Sequence, residues 1–321
     1  MISNSFFSKS EEYHVSSYQE MITLCDSLRR KEARKPYTIY IDSDISEIKN
    51  LKFPFSYFKI INSKQVLISK LYAKMKDNNN EELTTWKTAA LKVTGSHNIF
   101  VNLKIENQSY NPEVNGQEVA LGVYGDDNAF INCEFNSTQD ALFVGPLPDD
   151  LCTRYIGFLE NDERYFDGNA TNYFLNCTIS GTVDFIFGAG KAIFDNCNLI
   201  TIYDKRKTTY VVAPAHSLKD DFGYLFYQCH FIKGDNVEEE STYLARPWRD
   251  YGKAVFAYCK YDDHIQKAGF SDWSDVNRTR TARFEEYPLK EERKIIHNKK
   301  DSLLDDKYTQ AVLEMRENLS L

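Results

Sequence analysis

No stretch of this chain approaches the roughly 18 consecutive apolar residues that a membrane-spanning helix requires. Glycine and proline are scarce, at 14 and 8 of 321 residues, which excludes collagen-like and low-complexity composition. Basic residues are outnumbered, 39 Lys and Arg against 47 Asp and Glu. The resulting net charge of −8 disfavours a nucleic-acid partner, whose phosphates need a basic face. The seven cysteines form no Cys-x-x-Cys pair and no zinc-type cluster with histidine, and their odd number prevents complete pairing within the chain. Reduced, buried and inert thiols are the expectation. The first residues, Met1-Ile2-Ser3-Asn4-Ser5-Phe6-Phe7-Ser8-Lys9, lack the basic and then apolar layout of a signal peptide. As written, the chain reads as cytoplasmic, or as secreted if a leader once preceded it. What it holds in quantity is aromatic residues, 14% of the total, enough to expect a packed core.

Its length allows two domains at about 150 residues each, but an internal repeat points to one. Phe100-Val101-Asn102-Leu103-Lys104-Ile105 aligns with Phe130-Ile131-Asn132-Cys133-Glu134-Phe135, and then with segments beginning at Phe174, Phe194, Phe226 and Phe256. The shared pattern is Phe, any residue, Asn/Gln/Tyr, Cys/Leu, any residue, large apolar. Its fourth positions are 103, 133, 177, 197, 229 and 259, and five of them are cysteine. Each unit alternates as a strand does and is flanked by Gly, Asn and Asp turn signals. Asn-Cys beside β-branched and aromatic residues is poor helix material. Fixed short strands joined by loops of variable length predict an all-β parallel β-helix, in which equivalent residues stack about 4.7–4.9 Å apart. Phe and Cys then form interior columns, and Asn102, Asn132, Asn176 and Asn196 a side-chain ladder at a turn. Ser17-Tyr18-Gln19-Glu20 is a capping-box pattern ahead of a helix that covers the open end of the solenoid. A single domain over residues 1–321 follows. It comprises the cap helix in about 1–35, coils over about 36–282 with an insertion at 145–171, and a surface tail over about 283–321.

The register places chemistry. Asp140 and Asp184 each lie seven residues after a repeat cysteine, so the two carboxyls are expected one above the other on adjacent rungs. Such a pair titrates in two separated steps, leaving one carboxyl protonated and one ionised, as acid/base or nucleophilic work requires. Asp204 also lies seven residues after Cys197, without such company. Asp184 sits in the apolar run Gly181-Thr182-Val183-Asp184-Phe185-Ile186-Phe187-Gly188, where a charge needs a partner. Gln139 offers an amide to a developing oxyanion. Tyr243-Leu244-Ala245-Arg246-Pro247-Trp248 sets a guanidinium beside an indole, suited to a carboxylate and a sugar face respectively. Lys205-Arg206-Lys207 reads as a solvated basic run, with a carboxylate-binding basic patch as the alternative, and His216 as structural.

Gln139-Asp140-Ala141-Leu142, the octet at 181–188 and Leu244-Ala245-Arg246-Pro247-Trp248 resemble three signature motifs of the pectin methylesterase family. Gly116-Gln117-Glu118-Val119-Ala120-Leu121 is similar to a fourth, and the likeness covers residues 15–287. It departs from the family pattern at Ala141 and Ala245, where Thr and Gly are usual, and near Glu47. The resemblance implies a right-handed parallel β-helix that removes methyl esters from galacturonate. It makes Asp184 the nucleophile and Asp140 the general acid/base, with Arg246 paired to Asp184. Gln139 and Gln117 stabilise the oxyanion, and Trp248, Phe187 and Val183 line the sugar subsite. No cofactor or metal is implied. The expected partner is methyl-esterified galacturonan or its oligosaccharides, with no nucleic acid and no membrane, and a monomer is the expected state. Two other classes fit the stacked acids: a β-helix glycoside hydrolase acting on polygalacturonate, and a sugar-binding β-helix without catalysis.

Overall fold

A strand of three to six residues that buries alternate side chains cannot stand alone, and this chain satisfies its strands by stacking them in parallel. The computed structural model describes residues 3–29, 35–63, 65–109, 112–157, 159–164 and 171–319. Within them the strands form one ten-stranded and two seven-stranded sheets, in which every strand-to-strand pairing is parallel. One coil visits all three. Ala129–Ile131 lies in the ten-stranded sheet, Glu134–Ser137 in the second sheet, and Leu142–Val144 in the third. The next coil repeats the path with Asn172–Leu175, Thr178–Gly181 and Val183–Gly188.

The predicted columns are the interior. The rings of Phe100, Phe130, Phe174, Phe194, Phe226 and Phe256 stack near-parallel, with successive centroids 4.8, 4.8, 4.8, 4.7 and 5.0 Å apart. These are strand spacings, because the register pairs each Phe directly with the next. Beside them the thiols of Cys133, Cys177, Cys197, Cys229 and Cys259 each donate to the carbonyl of the Phe one coil earlier, at 3.2–3.5 Å. All seven cysteines are free thiols.

The third position of the repeat does different work from that expected. Asn102, Asn132, Asn176, Asn196, Gln228 and Tyr258 all have φ between 52° and 58°, the left-handed conformation that asparagine tolerates best among non-glycine residues. They turn the chain from the first sheet into the second, and their side chains face outward. Among the described residues, only the 196-to-176 pair makes the expected side-chain rung, at 2.7 Å. The buried ladder lies four residues earlier. Asn98 donates to Asn128 Oδ1 at 3.0 Å, and Asn128 to Asn172 Oδ1 at 3.3 Å. Each also bonds a main-chain carbonyl of the preceding turn.

Both ends are closed. Ser17 caps the helix Tyr18–Leu28 by accepting from the Glu20 amide, and Met21, Cys25 and Leu28 bury against the core. Ahead of this helix, Glu11–Val15 already pairs with Tyr37–Ile41, so the coils begin within the segment expected to be cap alone. They also run past residue 282, because Arg283–Tyr287 pairs with Lys253–Ala257. There Glu286 ends the Phe column and is neutralised by Arg293, with both side chains buried. The tail then lays the helix Asp306–Asn318 on the outer face of the ten-stranded sheet. Tyr308, Val312 and Leu319 bury there against Tyr173, Ile193, Leu225 and Val255.

The two asparagine sets differ in what they hold, and substitution separates them. Asn128→Ala leaves buried carbonyl and amide groups unpaired and is expected to cost about 1–3 kcal/mol in urea unfolding. Asn132→Gly, at an exposed left-handed turn that glycine adopts freely, is expected to be near neutral.

Candidate active site

The third sheet carries the candidate residues because each coil enters it through a tight turn. Leu142 pairs with Ile186, so Asp140 and Asp184, each two residues upstream, lie opposite one another on neighbouring rungs. Strand spacing sets that separation at about 4.8 Å between backbones. Both acids are left-handed, with φ of 63° and 51°, and Asp140 donates its amide to the Val183 carbonyl at 3.2 Å. At Asp184 the strand also bulges. Val183 pairs with Tyr210 and Ile186 with Val212, so one extra residue is accommodated between them. A bulge re-aims side chains locally, which lets an acid leave an otherwise apolar run. Gly181 permits it: a Cβ there would sit 2.4 Å from Phe185 Cβ.

Arg246 follows the strand Thr242–Ala245 and reaches back across one coil. It grips Asp184 with two parallel bonds, Nε to Oδ1 at 2.8 Å and NH2 to Oδ2 at 2.7 Å. Its guanidinium is held between the faces of Tyr210 and Trp273, each ring centroid 3.8 Å away. Such sandwiching fixes the fork and shields it from water. Gln139 is buried beside Asp140, and its Oε1 accepts from Arg206 at 3.0 Å. Gln117 is half-buried one coil earlier. Its neighbour Glu118, rather than Gln117 itself, stands opposite Gln139, since the Glu118 amide donates to the Gln139 carbonyl at 3.2 Å.

Burial lifts both acids above the usual carboxylate range. Asp140 rises well above it, pushed further by the charge on Asp184 and opposed by Arg246, Gln139 and Arg206. Asp184 is raised by burial too, but the Arg246 fork works directly against that rise. The pair is thereby split, with Asp140 holding its proton and Asp184 the readier to ionise.

Phe187 and Val183 are buried and Trp248 is half-buried. The Phe187 and Trp248 rings meet edge to face at 5.9 Å, and Trp86 stacks on Trp248 at 6.3 Å. Leu151, Cys152 and Leu159 of the insertion join this cluster. Glu160 and Asp162 bind Lys52, and Glu163 binds Lys92, tying the insertion to the third sheet. Trp86, Tyr210 and Trp273 carry no motif. The one sequence signal for Trp86 and Trp273 is scarcity, for all three tryptophans of the chain gather here, whereas nothing in the sequence marks Tyr210 among 21 tyrosines. Arg206 is exposed, as its basic run suggests, but it is also anchored on Asp204 and reaches Gln139. His216 is buried, bonded to Gly190 O and the Lys253 amide, and pushed down to about 4 by burial, which keeps it neutral. Among the described residues, no three His, Cys, Asp or Glu side chains group to hold a metal ion, and no helix is long and apolar enough to cross a membrane.

The family model described as Pectinesterase matches residues 29–146 and 160–294. Pectinesterase 31 of Arabidopsis thaliana is 31% identical over 203 residues, which is 63% of this chain and 55% of that protein. Pectinesterase QRT1 of the same plant is 30% identical over 211 residues, 64% of this chain and 47% of that protein. The chain thus spans about half the length of these two relatives, and 24–33% of three longer ones. Among solved structures, a pectin methylesterase in complex with a hexasaccharide superposes with a TM-score of 0.71 at 20% identity, covering 94% of this chain and 95% of that one. The pectin methylesterase from Yersinia enterocolitica gives 0.69 at 21% identity, over 92% and 96% respectively. At that identity the likeness concerns the fold, a right-handed parallel β-helix.

The split acids carry a stability signature. The folded pKa of Asp140 lies above its unfolded value, so its carboxyl costs nothing at pH below the unfolded value. It destabilises progressively as pH rises toward the folded value. Asp140→Asn is therefore expected to melt at a higher temperature than the native chain at pH 7 and at nearly the same temperature at pH 4. Equal Tm differences at both pH values would contradict the raised pKa.

Proposed function

The chain belongs to the pectinesterase family, and we propose that it hydrolyses the C6 methyl ester of galacturonate units in pectin or its oligosaccharides. The observation that carries this reading is the Asp184–Arg246 fork, with a second, proton-retaining acid on the adjacent rung. Asp184 attacks the ester carbonyl carbon, and the carbonyl oxygen becomes an oxyanion met by the amides of Gln139 and Gln117. Asp140 gives its proton to the departing methoxide, so methanol leaves and an acyl-enzyme anhydride remains. A water molecule then attacks the anhydride while Asp140 takes its proton. The free uronic acid departs and Asp184 is restored as carboxylate.

Arg246 has two tasks in this scheme. It keeps Asp184 ionised despite burial, and it aims one carboxylate oxygen by holding both. A lysine would supply the charge without the fork. Trp248, which is half-buried, would offer an apolar aromatic surface to the sugar, with Phe187 and Val183 packed behind and beside it. Such surfaces favour the methyl ester over a hydrated carboxylate.

Methanol release from methylated oligogalacturonides tests this directly. Asp184→Ala and Asp140→Ala are each expected to abolish it with the melting transition retained, and Arg246→Lys to reduce it by at least about tenfold, in keeping with loss of a bidentate charge-assisted bond. New reducing ends without methanol would overturn the assignment in favour of glycoside cleavage.

A further inference from the structure

The turn that follows Asn198–Thr201 brings Asp204 and Arg206 over the two acid-bearing turns. The Asp204 side chain is nearly inaccessible and binds Arg206 three times: through the Arg206 main-chain amide at 2.8 Å, Nε at 2.9 Å and NH2 at 2.5 Å. The same guanidinium gives NH1 to Gln139 Oε1 at 3.0 Å and NH2 to Thr182 Oγ1 at 3.4 Å. Thr182 accepts this because its own hydroxyl proton goes to the Thr138 carbonyl at 2.7 Å. Residues 138, 139 and 182, which flank Asp140 and Asp184, are thus tied to one anchored cation.

Building on the proposed esterase chemistry, we propose that Arg206 is a positioning residue: it holds the Gln139 amide oxygen away from the acids, so that the NH2 group faces the oxyanion. A guanidinium carries donors only, so the atom it meets on Gln139 is the oxygen. An amide pinned by its oxygen has its nitrogen fixed as well, about 120° away on the same carbon, and Gln139, next to Asp140 in the chain, acts to lower the proton affinity of that carboxyl. Unpinned, the amide can rotate and turn its oxygen toward a developing negative charge. Arg206 also draws the proton affinity of both acids downward through its charge. The titratable groups facing it are Asp204, Asp140 and Asp184, with Arg246 across the pair. Lys207 is engaged separately with Glu238.

Two substitutions separate the fork from the charge. Arg206→Met is expected to lower kcat about 10²-fold, the scale of losing one preorganised oxyanion donor, with KM changed little. Both limbs of its kcat/KM against pH profile should move to higher pH, because removing a cation makes each acid harder to ionise. Arg206→Lys keeps the charge but cannot grip Asp204 and Gln139 together, so kcat should fall while the limbs stay near their native positions. Asp204→Asn loosens the anchor and should fall between native and Arg206→Met in kcat. Melting temperatures measured alongside show each variant folded. A folded Arg206→Met with kcat within threefold of native and unmoved limbs overturns the inference. A native chain that releases no methanol from any methylated oligogalacturonide instead overturns the esterase reading, and this inference with it.

Discussion

Everything in this molecule depends on in-register parallel stacking. Six phenylalanine rings at strand spacing fix the coils relative to one another to within a residue, since a slip of one would turn each ring out to solvent. The Cys column and the buried asparagine ladder reinforce the same register with bonds to the coil before. Because three independent columns agree, a turn in one coil can be placed reliably above the equivalent turn in the next. The acids exploit this: no loop has to find them, and no closure has to bring them together.

That rigidity also explains how two buried carboxyls are tolerated. Both occupy left-handed backbone, which aspartate tolerates better than most non-glycine residues but not as freely as glycine, and both are lifted by burial. A flexible scaffold would relieve such strain by letting the turns open. Here Asp140 is held by its amide to the Val183 carbonyl, and Asp184 by Arg246, itself clamped between Tyr210 and Trp273. Strain of this kind persists only where surrounding structure over-determines it.

What the sequence discloses follows from the same geometry. The Phe and Cys columns and the Asp140–Asp184 stacking are legible because the turns leading to them have equal length from the repeat cysteine, so residue spacing maps onto space. The buried asparagine ladder is misplaced by four residues for a related reason. Asn102 and its equivalents stand inside the obvious motif, whereas Asn98, Asn128 and Asn172 stand just before it, with the same spacing but without a common neighbour. Asp204 repeats the seven-residue spacing, yet the following strand of the third sheet starts only at Thr209, so its turn is longer and register fails. That longer turn is what carries Arg206 back over Gln139. Nothing in the local pattern distinguishes Arg206 from a solvated basic run, because its role depends on a turn two coils after the one it serves.

The charges about the site have a consequence for which chemical form of substrate it suits. Asp184 is balanced by Arg246, Asp204 by Arg206, and Asp140 retains its proton. With Asp140 protonated, the site is neutral overall although four of its five ionisable groups are charged. A neutral ester would approach such a site without stripping water from a charge of its own and without disturbing either ion pair. The product of the proposed reaction is an acid that ionises beside Asp184, adding an uncompensated negative charge in a poorly solvated place. Both cations are already engaged bidentately, so neither is free to retain it. In the proposed reaction, substrate and product thus differ by one charge at the position where the surroundings are least able to absorb one, and release of the acid would be favoured by the same pairing that keeps the proposed nucleophile, Asp184, ionised.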